Sequence, residues 1–128
     1  MTARLLLDTH ALLWALSNPR RLPARVAKSI RDPETDVYVS AVSTWEIAIK
    51  ATLRKIDANV ADVVRGMRAA SFDELPVVIA HTVRLDALPD HHRDPFDRLL
   101  VAQAIEERLT IVTHDPLIAR YDVARLWA

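Results

Sequence analysis

Arg4-Leu5-Leu6-Leu7-Asp8-Thr9-His10-Ala11-Leu12-Leu13-Trp14 reads as a short apolar strand, an acid at its end and the opening of a helix. A strand without polar alternation is one buried on both faces, as in a parallel sheet. The cadence returns along the chain. Val37-Tyr38-Val39-Ser40 precedes Glu46, Ile111-Val112-Thr113 precedes Asp115, and Asp97 sits at the opening of an amphipathic stretch over residues 96–105. The strand-to-helix junctions of a parallel sheet lie along one edge, where ligands bind outside the carboxyl ends of the strands. Four carboxylates placed this way can converge.

Outward from that stretch, apolar runs predict strands at residues 4–7, 36–40, 75–78 and 110–113, with a fainter one at 123–127. Helical patterns fill the gaps. Residues 11–16 carry Leu12, Leu13, Trp14 and Leu16, and residues 23–30 begin with a proline suited to a first helical turn. Residues 42–53 place Val42, Trp45, Ile49 and Leu53 at helical spacing, and 60–70 do the same with Val60, Val63, Val64 and Met67. Shorter amphipathic pieces follow at 80–88 and 116–120, on either side of a long one at 96–108. Strands alternating with helices imply right-handed crossovers. The fold expected is an α/β/α sandwich with a central, mainly parallel sheet, formed by residues 1–128 as a single domain of ordinary size.

The bulk numbers agree with a globular, helix-rich chain: 51% of residues are hydrophobic, 27% are charged, and there is one glycine. Seventeen basic residues balance seventeen acidic ones, so net charge does not advertise a nucleic-acid partner. A carboxylate cluster uses up acidic charge locally, however, and leaves basic residues for a surrounding groove. Only Lys28, Lys50 and Lys55 are lysine, and arginine is the better bidentate phosphate ligand. The absence of cysteine removes disulfide and thiolate chemistry and fits a reducing cytoplasm. No apolar run reaches the length of a membrane span.

Each acid also has a purely structural reading. Asp8 precedes Thr9-His10-Ala11 as an N-cap would, Ser43-x-x-Glu46 has capping-box spacing, and Asp94-Pro95 and Asp115-Pro116 both set a capping aspartate before a proline. The set argues for more. Four acids in one cleft repel, so at least one pKa should rise unless a cation neutralises them. Oxygen ligands without thiolates suit Mg²⁺ or Mn²⁺. His91-His92-Arg93-Asp94-Pro95-Phe96-Asp97-Arg98 adds two aspartates and two arginines at one loop-to-helix junction, a metal ligand beside phosphate-directed cations.

At these residues the chain resembles the PIN domain, and within it the VapC-like endoribonuclease toxins of toxin–antitoxin pairs. The matching stretches are Leu5 to Trp14, Ser40-Ala41-Val42-Ser43-Thr44-Trp45-Glu46-Ile47-Ala48-Ile49-Lys50, His92 to Ala104 with Gln103, and Ile111-Val112-Thr113-His114-Asp115. They run in the family's order along nearly the whole chain. The resemblance implies that Asp8, Glu46, Asp97 and Asp115 form an acidic quartet holding Mg²⁺ or Mn²⁺, with Asp8 and Asp97 as direct ligands and the other two completing the cage, often through water. Thr113 falls where the family keeps a hydroxyl beside the metal. Asp94 matches the family loop, but its place before Pro95 favours capping. RNA cleavage by a metal-activated water, a cognate antitoxin and a homodimer are implied in the same way.

Arg98 and Lys50 are candidates for meeting substrate phosphates or offsetting the acids; the plainer reading of Lys50 is an exposed Glu46–Lys50 helix pair. Arg20, Arg21, Arg54, Lys55 and Arg93 line a groove or simply face solvent. His10, His91, His92 and His114 form no zinc spacing, although His10 and His114 flank candidate acids. Trp14, Trp45 and Trp127 read as core or interface, with base stacking the minority option. A phosphoacceptor receiver domain would need adjacent acids after the first strand, and a haloacid-dehalogenase-like phosphatase a second aspartate where His10 stands. Two alternatives persist: a non-catalytic binding module whose acids only cap helices, and a housekeeping nuclease that is not a toxin.

Overall fold

Leu5 and Leu7 point to one side of their strand and Leu6 to the other, and all three are buried. That alternation needs cover on both faces. The computed structural model, which describes residues 3–127, supplies it. In order along the chain are β1 (Arg4–Leu7), α1 (Thr9–Ser17), a 3₁₀ turn (Pro19–Arg21), α2 (Ala24–Arg31), β2 (Asp36–Ser40), α3 (Ala41–Thr52) and α4 (Val60–Ala69). There follow β3 (Asp73–Leu75), α5 (Ile79–Asp86), α6 (Pro95–Glu107), β4 (Thr110–Thr113), a second 3₁₀ turn (Ile118–Arg120) and β5 (Arg125–Trp127).

The strands form one sheet in the order β3-β2-β1-β4-β5, every neighbouring pair parallel. On one face Leu5, Leu7, Val37, Val39 and Val112 pack under Leu12, Val26, Ile30, Val63 and Met67 of α1, α2 and α4. On the other, Leu6 and Ile111 pack under Leu100, Val101 and Ala104 of α6, with Ile118 and Tyr121. The arrangement is the expected α/β/α sandwich. Order reverses between β1 and β4, and such a switch point opens a crevice at the carboxyl edge. Asp8 leaves β1 on one side of it and Asp115 follows β4 on the other.

Three expectations need correcting. The third strand is Asp73–Leu75 rather than residues 75–78: Pro76 has no N–H to continue the ladder, and Val77 and Val78 are exposed instead of buried. The segment at 116–120 is a 3₁₀ turn, not an α-helical one. In α3, Trp45 and Leu53 are exposed at 56% and 58%, whereas Ser43, Glu46 and Ile47 are buried. Val42 of the expected stripe is buried and Ile49 half-buried, so the stripe marks the buried face only in part, and Leu53 stands just past the helix as its C-cap.

Candidate metal centre

Asp8 caps α1, its Oδ1 accepting from Ala11 N at 2.8 Å, and Thr113 hydrogen-bonds the same carboxylate. Thr113 also accepts from Asp115 N at 3.0 Å, so one hydroxyl ties the ends of β1 and β4 together. Asp8 is buried, and desolvation raises its pKa above the ordinary carboxylate range against the lowering effect of those bonds. Capping and ligation are compatible here, because the cap engages one oxygen of two.

Asp97 stands in the first turn of α6, whose N-cap is Asp94: the Asp94 Oδ1 accepts from Phe96 N at 2.8 Å and Asp97 N at 3.2 Å. Burial lifts the Asp97 pKa to about 7, and the neighbouring charges of Asp94, Asp8 and Glu46 add to the rise. That is the crowding expected of carboxylates brought together without a cation.

Glu46 reaches the cleft from the second turn of α3. It is not part of a capping box, because α3 begins at Ala41 and its N-cap is Ser40, which accepts from Val42 N. Ser43 and Glu46 face inward instead. Thr9 donates to Glu46 Oε1 at 2.6 Å, and Lys50 Nζ sits 2.5 Å from Oε2. Both oxygens of Glu46 are thus engaged, and its bond holds Lys50 charged by raising the ammonium pKa. With Glu46 only 4% exposed and Lys50 28%, this pair is far less solvated than the surface pair read from the sequence.

Sequence reasoning missed His92 as a member of the site. Its Nδ1 accepts from Asp94 N at 3.1 Å, so the neutral ring carries its proton on Nε2. That nitrogen lies 3.1 Å from Asp97 Oδ2 and 2.9 Å from Asp115 Oδ2. His92 therefore donates to Asp115 and stands against Asp97. The only signal available was its position two residues before Asp94, inside a motif read for its aspartates and arginines. Asp115 uses its other oxygen to accept from Leu117 N at 2.8 Å, closing the turn after β4.

Asp8, Glu46, Lys50, Asp94, Asp97 and Asp115 line one cleft of about 350 Å³, together with His10, Trp14, His114 and Trp127. Arg98 is placed elsewhere. Its Nη1 donates to Pro89 O at 3.1 Å and to the Tyr121 hydroxyl at 3.0 Å, which in turn accepts from His91 N and His92 N. The guanidinium fixes the loop that carries His92 rather than reaching into the cleft. A second anchor joins the elements behind the site: Ser40 Oγ donates to Gln103 Oε1 at 2.6 Å, fastening the start of α3 to α6.

The residues fit a hard divalent cation. Asp97, Asp115 and His92 bring ligand atoms within 4.8 Å of one another, Asp8 lines the same cleft, and Lys50 is committed to Glu46.

An all-parallel five-stranded sheet with acids at its switch point defines the class, and residues 5–124 match the PIN domain family. The chain belongs to that family. It is 31% identical over 113 residues to ribonuclease VapC22 of Mycobacterium tuberculosis, covering 86% of this chain and 85% of that protein. Its fold is shared with VapBC2 from Rickettsia felis bound to a DNA fragment from their promoter, at TM-score 0.71 and 13% identity over 96% of this chain and 97% of that one. FitAcB from Neisseria gonorrhoeae also shares it, at TM-score 0.61 and 22% identity over 95% and 96% of the two chains.

Proposed function

We propose that this PIN protein is a Mg²⁺- or Mn²⁺-dependent endoribonuclease acting in the cytoplasm as the toxin of a toxin–antitoxin pair. The observation that carries the reading is the convergence of Asp8, Asp97, Asp115 and Glu46 on one cleft, with burial and mutual repulsion raising the pKa of Asp97 to about 7. Asp8 and Asp97 would hold the cation directly, and Asp115 would complete the set. Glu46, with both oxygens engaged by Thr9 and Lys50, acts at one remove through solvent. When bound, a divalent cation supplies Lewis acidity at the phosphate and a water of lowered pKa. The chain's own contribution is orientation: Thr113 bonds Asp8, and His92 bonds Asp115 and packs against Asp97. Lys50 offsets the negative cleft toward an anionic substrate.

The ribonuclease relative and the VapBC assembly among the fold relatives support the activity and the antitoxin partner. So does a groove of about 630 Å³ that meets the acidic site at Trp14 and is lined by Leu13, Leu16 and Ile56 together with Arg21, Asp57 and Asp62, a mixed surface suited to an amphipathic chain segment. Homodimerisation is supported by the exposed Val77, Val78, Ile79 and Val83 on and before α5. Ile79→Lys should then give a monomer by light scattering.

Titration calorimetry on the wild type should show Mg²⁺ binding and the protein should cut single-stranded RNA; Asp97→Asn should lose both while staying folded. No heat at millimolar Mg²⁺ and intact RNA would return the chain to a binding module whose acids only cap helices.

A further inference from the structure

Four rings line the same cleft as the carboxylates. His10 and Trp14 have centroids 6.0 Å apart, Trp14 and Trp127 5.4 Å, and His114 lies stacked on Trp127 at 4.8 Å with 25° between planes. They come from three places in the chain: the start of α1, β5, and the residue after β4. Trp14 and Trp127 pack their inner sides on the core cluster under α1 and α2, which holds them rigid, while His10 and His114 are exposed. The Arg21 guanidinium caps the Trp14 ring at 4.6 Å, adding a cation beside the rings. Core packing accounts for the tryptophans alone. It does not account for two exposed imidazoles extending the row in a cleft that Asp8, Glu46, Asp97 and Asp115 also line.

Resting on the metal-dependent nuclease reading, we propose that the row His10–Trp14–Trp127–His114 is a nucleobase subsite that stacks an unpaired base of the substrate strand next to the phosphate held at the acids. Aromatic faces bind any base, and a base in a duplex is not free to stack on protein, so the subsite selects single-stranded or looped RNA over paired RNA. The row carries no array of amide or carboxylate groups to read a base edge, so the preference is for exposed bases rather than for one sequence.

The test uses the full chain with Trp45→Phe, which leaves Trp14 and Trp127 as the fluorescent reporters. Single-stranded oligoadenylate is titrated against the matching abasic ribose-phosphate strand, with light scattering excluding aggregation. The base-bearing strand should quench the tryptophans and bind roughly 5- to 100-fold tighter than the abasic one, the range of one stacked base. His114→Ala, at an exposed position, and Trp127→Leu should each shrink that ratio toward one. Equal affinity for the two strands, or a ratio unmoved by both variants, overturns the proposal and leaves the rings to a protein side chain. Because binding is read without turnover, the result stands whether or not the protein cuts RNA. Failure of calorimetric Mg²⁺ binding sinks the nuclease reading separately.

Discussion

His92 shows how much one side chain can decide at this site. Its Nε2–H is directed at Asp115, with Asp97 3.1 Å away, because its other nitrogen is already engaged by Asp94 N–H. Groups that orient metal ligands from behind commonly carry a 10- to 100-fold share of affinity. His92→Ala should therefore weaken Mg²⁺ binding by roughly that factor in calorimetry, with a far smaller effect on thermal stability in chelator. An unchanged affinity would mean that the two carboxylates find their positions without it. Asp94 separates cap from charge. Asp94→Ala loses the α6 cap and should cost about 1 kcal/mol, read as a melting temperature lower by about 3–5 °C. Asp94→Ser keeps the cap while removing a neighbour that raises the Asp97 pKa, so it should retain most stability and bring the Asp97 titration down.

At the scale of elements, α3 and α6 show where pattern reading holds and where it turns over. Leu100, Val101 and Ala104 of α6 are buried as its apolar spacing predicts, since that helix covers the sheet. In α3 the buried side includes Ser43 and Glu46, satisfied by Thr9 and Lys50, so a helix facing a polar site hides polar residues and exposes Trp45. Trp45 rests edge-on against Phe96 at 4.9 Å and remains more than half exposed. The Ser43 to Glu46 spacing matched a capping box because both residues are needed on one face one turn apart, whatever the purpose. The end of α6 invites a test of stability alone. Arg108 holds a left-handed φ of 57°, a conformation glycine adopts without Cβ strain. Arg108→Gly should stabilise the protein by up to about 1 kcal/mol, visible in a denaturant midpoint and without effect on Mg²⁺ affinity.

For the whole molecule the acids set a conflict between folding and charge. Asp97 keeps its proton to about pH 7 in the folded chain, against about 4 when unfolded. Between those values the folded state binds more protons than the unfolded one, so stability falls as pH rises through that window. Asp8, also raised, acts in the same direction. In chelator the melting temperature should thus decline from near pH 5 to near pH 7.5. Millimolar Mg²⁺, which binds the ionised carboxylates, should flatten or reverse the decline, with the larger gain at the higher pH. A melting temperature that rises with pH in chelator would show that the acids are not crowded in solution.

The sequence by itself determined the class of fold and the identity of the converging acids. Unbroken apolar strands such as Leu5-Leu6-Leu7 fit a sheet covered on both faces, Asp8, Glu46 and Asp115 follow within a few residues of such strands, and Asp97 opens a helix. Tertiary structure alone decided what surrounds them. His92 on Asp115 and Arg98 turned onto Tyr121, each pair 23 residues apart, Lys50 drawn into partial burial and four rings from separate segments lining one cleft all depend on how the elements pack. Local periodicity records which face of an element is apolar; it carries no information about which polar groups from other elements will meet there.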